Sequence, residues 1–563
     1  MAVGAFLIAL AAFASYYFDM RLPIWIRRQA VITMLWLVFA FYLLAAATAI
    51  VGTPLALCLL ARRRSRSIWV LRSLALCISV LCGMGLLEGA AALRQVVIRR
   101  LRDLPTHFPE PSKSDETYIV VIGESSARGE PYHPWLSVGQ VAAWQLEKVF
   151  PDRRFRVEML AEGGLNLNQA IGRLRGLKRR PDAILVYSGH NEFLGRYAVS
   201  GIVWHYLDDD VPPVGSLPRS VGRYSPVCGL IDESMEQQRL PLAPPPNRPR
   251  ELIDRPVCTA KEREAIRNEF RDRLEGLVAY CGRIHALPIL VIPAGNDGGY
   301  PPNRSVLTPD TLRIERESVA RDFRTAHRNE ASDPAGSVAA YRRLLALQPT
   351  FAEAHYCLAR LLEHSGKWKE AAAHDVEARD ADGMPLRCPS DFQQIYRNIA
   401  SRWVDVVLVD GPAVLGETSR HQVLDDNLFH DAQHPVLAGY VALAQDLLKQ
   451  LKAHRAFGWP ERVPVPSLDP AECAAHFGIG ESEWAEVCTR TALYYSRTAL
   501  MRYDRSESLE KQKRYSEAAQ AITDGLPPER TGIPGLGCRR ASSAAPSDVC
   551  VESGRSRVTL ISD

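Results

Sequence analysis

Apolar residues fall along this chain in runs of two very different lengths. Three long ones open it, at about Val3 to Phe18, Ala30 to Leu60 and Ile68 to Leu93. The second is long enough to cross a bilayer with tilt, and the first is near the lower limit. Together they predict a transmembrane anchor of about three helices over residues 1–103. Arg72 and Glu88 lie inside the third run, near its ends, where snorkelling to the interface accounts for them and a functional buried charge is the alternative. The first run lacks the basic flank of a cleaved signal peptide. Further on the runs are short. Tyr118 to Ile122, Ala183 to Tyr187 and Ile289 to Ile292 are unbroken apolar runs, the pattern of strands buried on both faces of a parallel sheet, and Val157 to Leu160 is strand-like. Helix-period stretches separate them, one opened by the capping box Thr259-Ala260-Lys261-Glu262 and another running from Val436 to Leu448. Strands alternating with helices predict an α/β fold.

Two stretches break this alternation. Val199 to Pro256 is rich in proline, with the run Pro244-Pro245-Pro246 and the acidic Asp208-Asp209-Asp210, and reads either as a cover over a site or as a solvated linker. The second has a period. Small or apolar residues at Leu358, Ala359, Leu362, Ala371 and Ala378, with Gly366 and Trp368 at a turn, resemble a tetratricopeptide helix pair, and Tyr341, Leu344 and Pro349 fit the second helix of a preceding unit. One and a half such units cannot bury a solenoid alone, so they must brace the rest of the chain or meet a partner.

Composition narrows the class. A chain of 563 residues that is 47% apolar and 23% charged exceeds one ordinary core. Sixty-eight Lys plus Arg against 64 Asp plus Glu leave a net charge of only +4, so nucleic acid is not an expected partner. The twelve cysteines form no CxxC pair. Were the soluble part external, Cys228 with Cys258, Cys473 with Cys488 and Cys538 with Cys550 could close loops.

Three short strings carry candidate chemistry: Gly123-Glu124-Ser125, Gly189-His190-Asn191-Glu192 and Asp431-Ala432-Gln433-His434. The first two follow apolar strands and so sit at the carboxyl edge of the sheet, where open α/β sheets bind ligands. The third precedes Pro435 and a helix. Ser125 suits a nucleophile, His434 its base, Asp431 the group that orients the imidazole, and Asn191 a donor to a developing oxyanion. Taken singly, Ser125 and Asp431 also suit helix caps.

These strings resemble the blocks of the SGNH (GDSL-type) serine hydrolases. Gly123 to Gly129 is similar to the first block, with Glu124 in place of aspartate, which favours Ser125 over Ser126 as nucleophile. Gly189 to Glu192 resembles the third block with a second acidic swap, and Asp431 to His434 matches the last. In the second block the asparagine is missing from Ala161-Glu162-Gly163-Gly164, so the resemblance assigns its backbone donor to Gly163, with Gly164 as fallback. It implies a three-layer, flavodoxin-like fold with a parallel sheet, a Ser125–His434–Asp431 triad, and an oxyanion hole from Ser125, Gly163 and Asn191. The expected organisation is then an anchor (1–103), a first hydrolase part (116–300, with the insert 199–256), a tetratricopeptide-like insert (327–385), a second hydrolase part (386–455), a helical region (456–535) and a disordered tail (536–563).

The implied activity is cleavage of an ester-linked acyl group, acetyl included, by a membrane-anchored esterase. Alternatives are an O-acyltransferase using the same triad and a non-catalytic tetratricopeptide scaffold. No cofactor and no metal are expected, the rival being that Asp431 and His434 join His190 and Glu192 around a metal. Substrates considered are an envelope polysaccharide or a lipid, with the membrane and a protein partner on the helical insert besides. Arg62, Arg63, Arg64 and Arg66 mark their loop as cytoplasmic, although Arg21, Arg27, Arg28, Arg94, Arg99, Arg100 and Arg102 pull the other way. Leu86 to Arg94 resembles the anchors of bacterial membrane-tethered members of the family, which face outward. The expectation is therefore a bacterial inner-membrane protein with a periplasmic catalytic domain.

Overall fold

The computed structural model describes residues 104–194, 260–499 and 505–537 with few gaps, the helix over 68–102, parts of 37–58, and single positions between 225 and 231. Helix α1, Ile68–Arg102, contains a segment, Ile68–Ala90, long and apolar enough to cross a membrane, and a shorter apolar helix spans Leu44–Cys58. The run Val3 to Phe18, the Arg62 to Arg66 loop, most of the proline-rich insert and the tail beyond 537 lie outside the described residues. Glu88 departs from the snorkelling expectation. Its carboxylate accepts hydrogen bonds from Tyr42 Oη, Ser225 Oγ and the Val227 N–H. A charge in an apolar segment here finds donors within the chain instead of reaching for water.

Five parallel strands make one sheet: β1 (Glu116–Gly123), β2 (Arg154–Met159), β3 (Ala183–Tyr187), β4 (Leu287–Ile292) and β5 (Val407–Asp410), in the order β2-β1-β3-β4-β5. That is the doubly wound order in which the winding reverses between β1 and β3. Strands β1, β3 and β4 contain the unbroken apolar runs, whereas β2, at the edge and only partly buried, overlaps Val157 to Leu160 by its last three residues. The fifth, β5, has only four residues and was not among the runs read as strands.

Helices cover both faces. Along the chain they are α2 (Ser125–Arg128), α3 (Val138–Val149), α4 (Leu167–Arg173) and α5 (Ala260–Ile284). Next come α6 (Arg313–Asn329), α7 (Pro334–Leu347), α8 (Ala352–His364), α9 (Trp368–Asp380), α10 (Ser390–Arg402), α11 (Gly411–Thr418) and α12 (Leu437–Ala453). The last are α13 (Pro470–His476), α14 (Glu481–Thr498) and α15 (Ser506–Thr523). One layer holds α3 and α12, packed on each other and on the outer strands; α4, α5 and α10 form the opposite layer. Val120, Val121, Ile122, Ile184 and Leu290 are fully enclosed between them, each burial contributing about 1.5–3 kcal/mol.

Between β4 and β5 the helices α6 to α9 pack in sequence on their neighbours around a separate core of Phe323, Tyr341, Leu344, Phe351, Leu358, Leu362 and Ala371. Two helix pairs stand where one and a half were expected. The missing half is α6, whose Val319, Phe323 and Ala326 form a narrow buried stripe in an otherwise charged helix. At the other end of the chain, α14 packs along α15, and Trp484, Val487, Cys488, Tyr495 and Tyr515 join the main core. Cys473 and Cys488 form no disulfide, and neither does Cys228. The suggested Cys473–Cys488 bridge is therefore absent. Each of these two cysteines packs in the core as a small apolar side chain, and Cys258, Cys538 and Cys550 are not among the described residues.

Candidate active site

Ser125 stands where β1 leaves the sheet. Gly123 ends the strand at φ +144°, and a Cβ there would lie 2.1 Å from the Tyr187 carbonyl oxygen of β3. Only glycine lets the chain pass so close and then turn. Glu124 follows in extended geometry as the N-cap of α2, and Ser125 is its first residue, 7% exposed. Gly129, left-handed at φ +96°, closes this single turn with its N–H on the Ser125 carbonyl.

The Glu124 carboxylate, fully buried, accepts the N–H of His190 at 2.8 Å and of Asn191 at 2.9 Å. It thereby ties the loop after β3 to the turn carrying Ser125. Burial pushes this carboxyl well above the ordinary carboxylate range, with the N–H donors pulling the other way. Asn191 in turn donates through Nδ2 to the Leu165 carbonyl at 3.1 Å, which aims its amide along the turn after β2. A Cβ on Gly163 would lie 3.9 Å from the Ser125 Cβ, whereas one on Gly164 would meet nothing within 4 Å. Gly163 is thus the glycine that faces Ser125. Glu192 accepts the Leu167 N–H at 2.8 Å, at the start of α4, and burial raises its carboxyl to about 7.

Asp431 and His434 occupy one tight turn, closed by the His430 N–H on the His434 carbonyl at 2.9 Å. Asp431 Oδ1 accepts the N–H groups of Gln433 and His434, both at 3.0 Å, and Oδ2 lies 2.7 Å from His434 Nδ1. Burial works against a charge on this imidazole, and the Asp431 carboxylate more than offsets it, so the His434 pKa is raised above 6.5. The edge of His434 meets Tyr494 of α14, with ring centroids 5.6 Å apart and an interplanar angle of 82°. Ser126 Oγ donates to the Gln433 carbonyl at 3.1 Å, which joins α2 to this turn. The buried His434 Nε2 has no hydrogen-bond partner, so the bond between Ser125 and His434 is not formed. In apo enzymes such bonds are often long and tighten on substrate.

Ser125, Gly163 and Asn191 therefore gather at the carboxyl ends of β1, β2 and β3, across the switch point, with the Asp431–His434 turn against the Ser125 helix. Glu124 and Tyr494 contribute to this site without having been singled out as site residues in the sequence. Each acts through a contact between distant segments, so no local pattern could reveal it. His190 Nδ1 accepts the Cys388 N–H at 3.0 Å, and burial lowers its pKa well below 6.5. His190 and Glu192 are thus each engaged with backbone groups. His327, Glu330 and Cys357, on α6, beside its end and on α8, are a trio of described residues whose donor atoms lie within 4.8 Å of one another. His327 and Glu330 form an ion pair at 3.0 Å, and Tyr341 donates to Glu330.

Compared with known families, residues 340–373 match the tetratricopeptide repeat, from within α7 into α9. That match covers a small part of the chain and concerns the helical insert, leaving the site to its own geometry. No curated protein matches this chain.

Proposed function

We propose that this chain is a membrane-anchored serine hydrolase of SGNH type that cleaves an ester-linked acyl group. The observation that carries the reading is the buried His434, held by Asp431 at 2.7 Å through Nδ1 and unpartnered at Nε2, on a turn joined to the helix that begins with Ser125. Ser125 Oγ attacks the ester carbonyl while His434 Nε2 takes its proton, and the alkoxy group leaves with that proton. The tetrahedral oxyanion is met by the N–H of Ser125, the N–H of Gly163 and the Asn191 amide; one such donor is typically worth about 3–4 kcal/mol in the transition state. Water then releases the acid, or an acceptor hydroxyl takes the acyl group, which would make the enzyme a transferase. The order of the sheet and the resemblance of the three strings to SGNH blocks support the reading.

A fluorophosphonate probe reports on it directly. Wild-type protein labels stoichiometrically at Ser125 and cleaves short-chain acyl esters; absence of both labelling and cleavage would refute the proposal and favour a scaffold. A role in binding another protein is supported for the helical insert by its tetratricopeptide match.

For location we propose a bacterial inner membrane with the site outside, facing an acylated envelope polysaccharide or lipid. One apolar helix of spanning length and the arginine-dense loop before it support this. The described cysteines, none of them in a disulfide, lend it nothing. A reporter active only after export should work when fused near residue 455 and stay silent at Arg64. The reverse pattern would put the hydrolase in the cytoplasm.

A further inference from the structure

Asn296 is fully buried in the loop after β4, and no role above depends on it. Its backbone N–H donates to the Ala432 carbonyl at 2.9 Å. Its side chain donates through Nδ2 to the Asp431 carbonyl at 3.0 Å and to Asp426 Oδ1 at 2.8 Å, while Oδ1 accepts the Gly299 N–H at 2.8 Å. Every polar group of the amide is engaged. Two successive carbonyls of the Asp431–His434 turn thus hang on one residue.

The support behind Asn296 comes from two other parts of the chain. On one side, Arg387 Nη1 donates to the Asn296 carbonyl at 2.8 Å, and Arg379 of α9 holds the neighbouring, buried Asp297 at 2.7 Å. On the other, Lys511 of α15 lies 2.9 Å from Asp426 Oδ2 and also donates to the Gly299 carbonyl. The backbone of the histidine turn is therefore suspended between the end of the tetratricopeptide-like insert and the C-terminal helix.

We propose that Asn296, backed by Asp426 and Lys511, is a positioning residue for the Asp431–His434 pair, so that α15 is part of the active site. This rests on the Ser125–His434–Asp431 reading. The physical reason is reach: His434 Nε2 must meet a hydroxyl on a different segment, and a displacement of about 1 Å can cost roughly 100-fold in rate. Substituting Asn296→Asp keeps the shape and the acceptor for Gly299 but removes both donors and sets a carboxylate against Asp426. Lys511→Met removes the charge that holds Asp426, and Lys511→Arg keeps it.

The experiment measures kcat and KM for a short-chain acyl ester, the fluorophosphonate labelling rate and the thermal midpoint of the full-length protein. Expected are a kcat loss of about 100-fold for Asn296→Asp and about tenfold for Lys511→Met, with KM within threefold, slowed labelling, and recovery of most of the rate in Lys511→Arg. A merely structural role would lower the thermal midpoint but leave turnover per labelled serine unchanged, and that result overturns the proposal. If Asn296→Asp does not fold, Lys511→Met decides: kcat within twofold of wild type rejects the role. Should Ser125→Ala remain active, the triad reading fails and this inference falls with it. If Ser125→Ala is dead while folded Asn296→Asp turns over like wild type, this inference alone fails.

Discussion

Ser125→Ala should abolish ester cleavage and leave the protein folded. Loss of a triad nucleophile typically costs about 10⁴ to 10⁶ in turnover, because the remaining histidine and oxyanion donors can only assist water. Folding should survive, since Ser125 begins a single helical turn that alanine also accepts, and the fastening of that turn belongs to its neighbours. Glu124 takes the two N–H groups of the loop after β3, and Ser126 Oγ binds the Gln433 carbonyl. The neighbouring serine is the control. Ser126→Ala forfeits one hydrogen bond, about 1 kcal/mol, and should keep most of the activity. Steady-state hydrolysis of a short-chain ester distinguishes the two serines: a Ser125→Ala enzyme within tenfold of wild type would mean that the nucleophile is elsewhere.

Asp431→Asn should be nearly as damaging, for a different reason. One oxygen of Asp431 accepts two backbone N–H groups and the other faces His434 Nδ1. Asparagine can supply only one oxygen. With that oxygen left on the backbone, its NH₂ meets Nδ1 and drives the imidazole proton to Nε2, the tautomer that cannot accept from Ser125. The expected loss is about 10⁴ in kcat. The pH profile should move as well. A base must be neutral, so kcat/KM rises with pH through the His434 pKa, and in the wild type that limb lies above 6.5 because the carboxylate outweighs burial. Without the carboxylate, burial is opposed only by the smaller pull of Glu130, and the limb shifts to lower pH. A loss below about threefold, or a limb that stays in place, would reduce Asp431 to a cap of its turn.

How much of this was legible depended on distance along the chain. Tyr118 to Ile122 and Ala183 to Tyr187 announced themselves because strands buried on both faces need unbroken apolar runs, and Gly366 marked the α8–α9 turn by its left-handed φ of +73°. Ser125, Asn191, Asp431 and His434 could be singled out as candidates because each stands in a short string beside a recognisable element. Strand β5 went unread although Val406 to Val409 is an apolar run as long as Ile289 to Ile292. In α6 the stripe of Val319, Phe323 and Ala326 is swamped by charge, so the second helix pair stayed hidden. Glu124 read as a conservative swap, yet it bonds residues 66 and 67 positions away. Asn296 and Lys511 were mute for the same reason: they act on Asp431 and Asp426 from separate parts of the chain. Glu88 was assigned to the interface on hydropathy alone, a rule that takes no account of donors as distant as Ser225.

The order in which the pieces leave the ribosome gives the Ser126–Gln433 hydrogen bond, which spans 307 positions, a further meaning. The serine emerges first. Then come the helices α6 to α9, which pack on their sequence neighbours around a core of their own, a local pattern that favours fast folding. Only afterwards do β5, the histidine turn and the helix bearing Lys511 appear. A growing chain thus carries Ser125 without His434 for over half of its length, and on the proposed reading the site is incomplete until the last helices have docked.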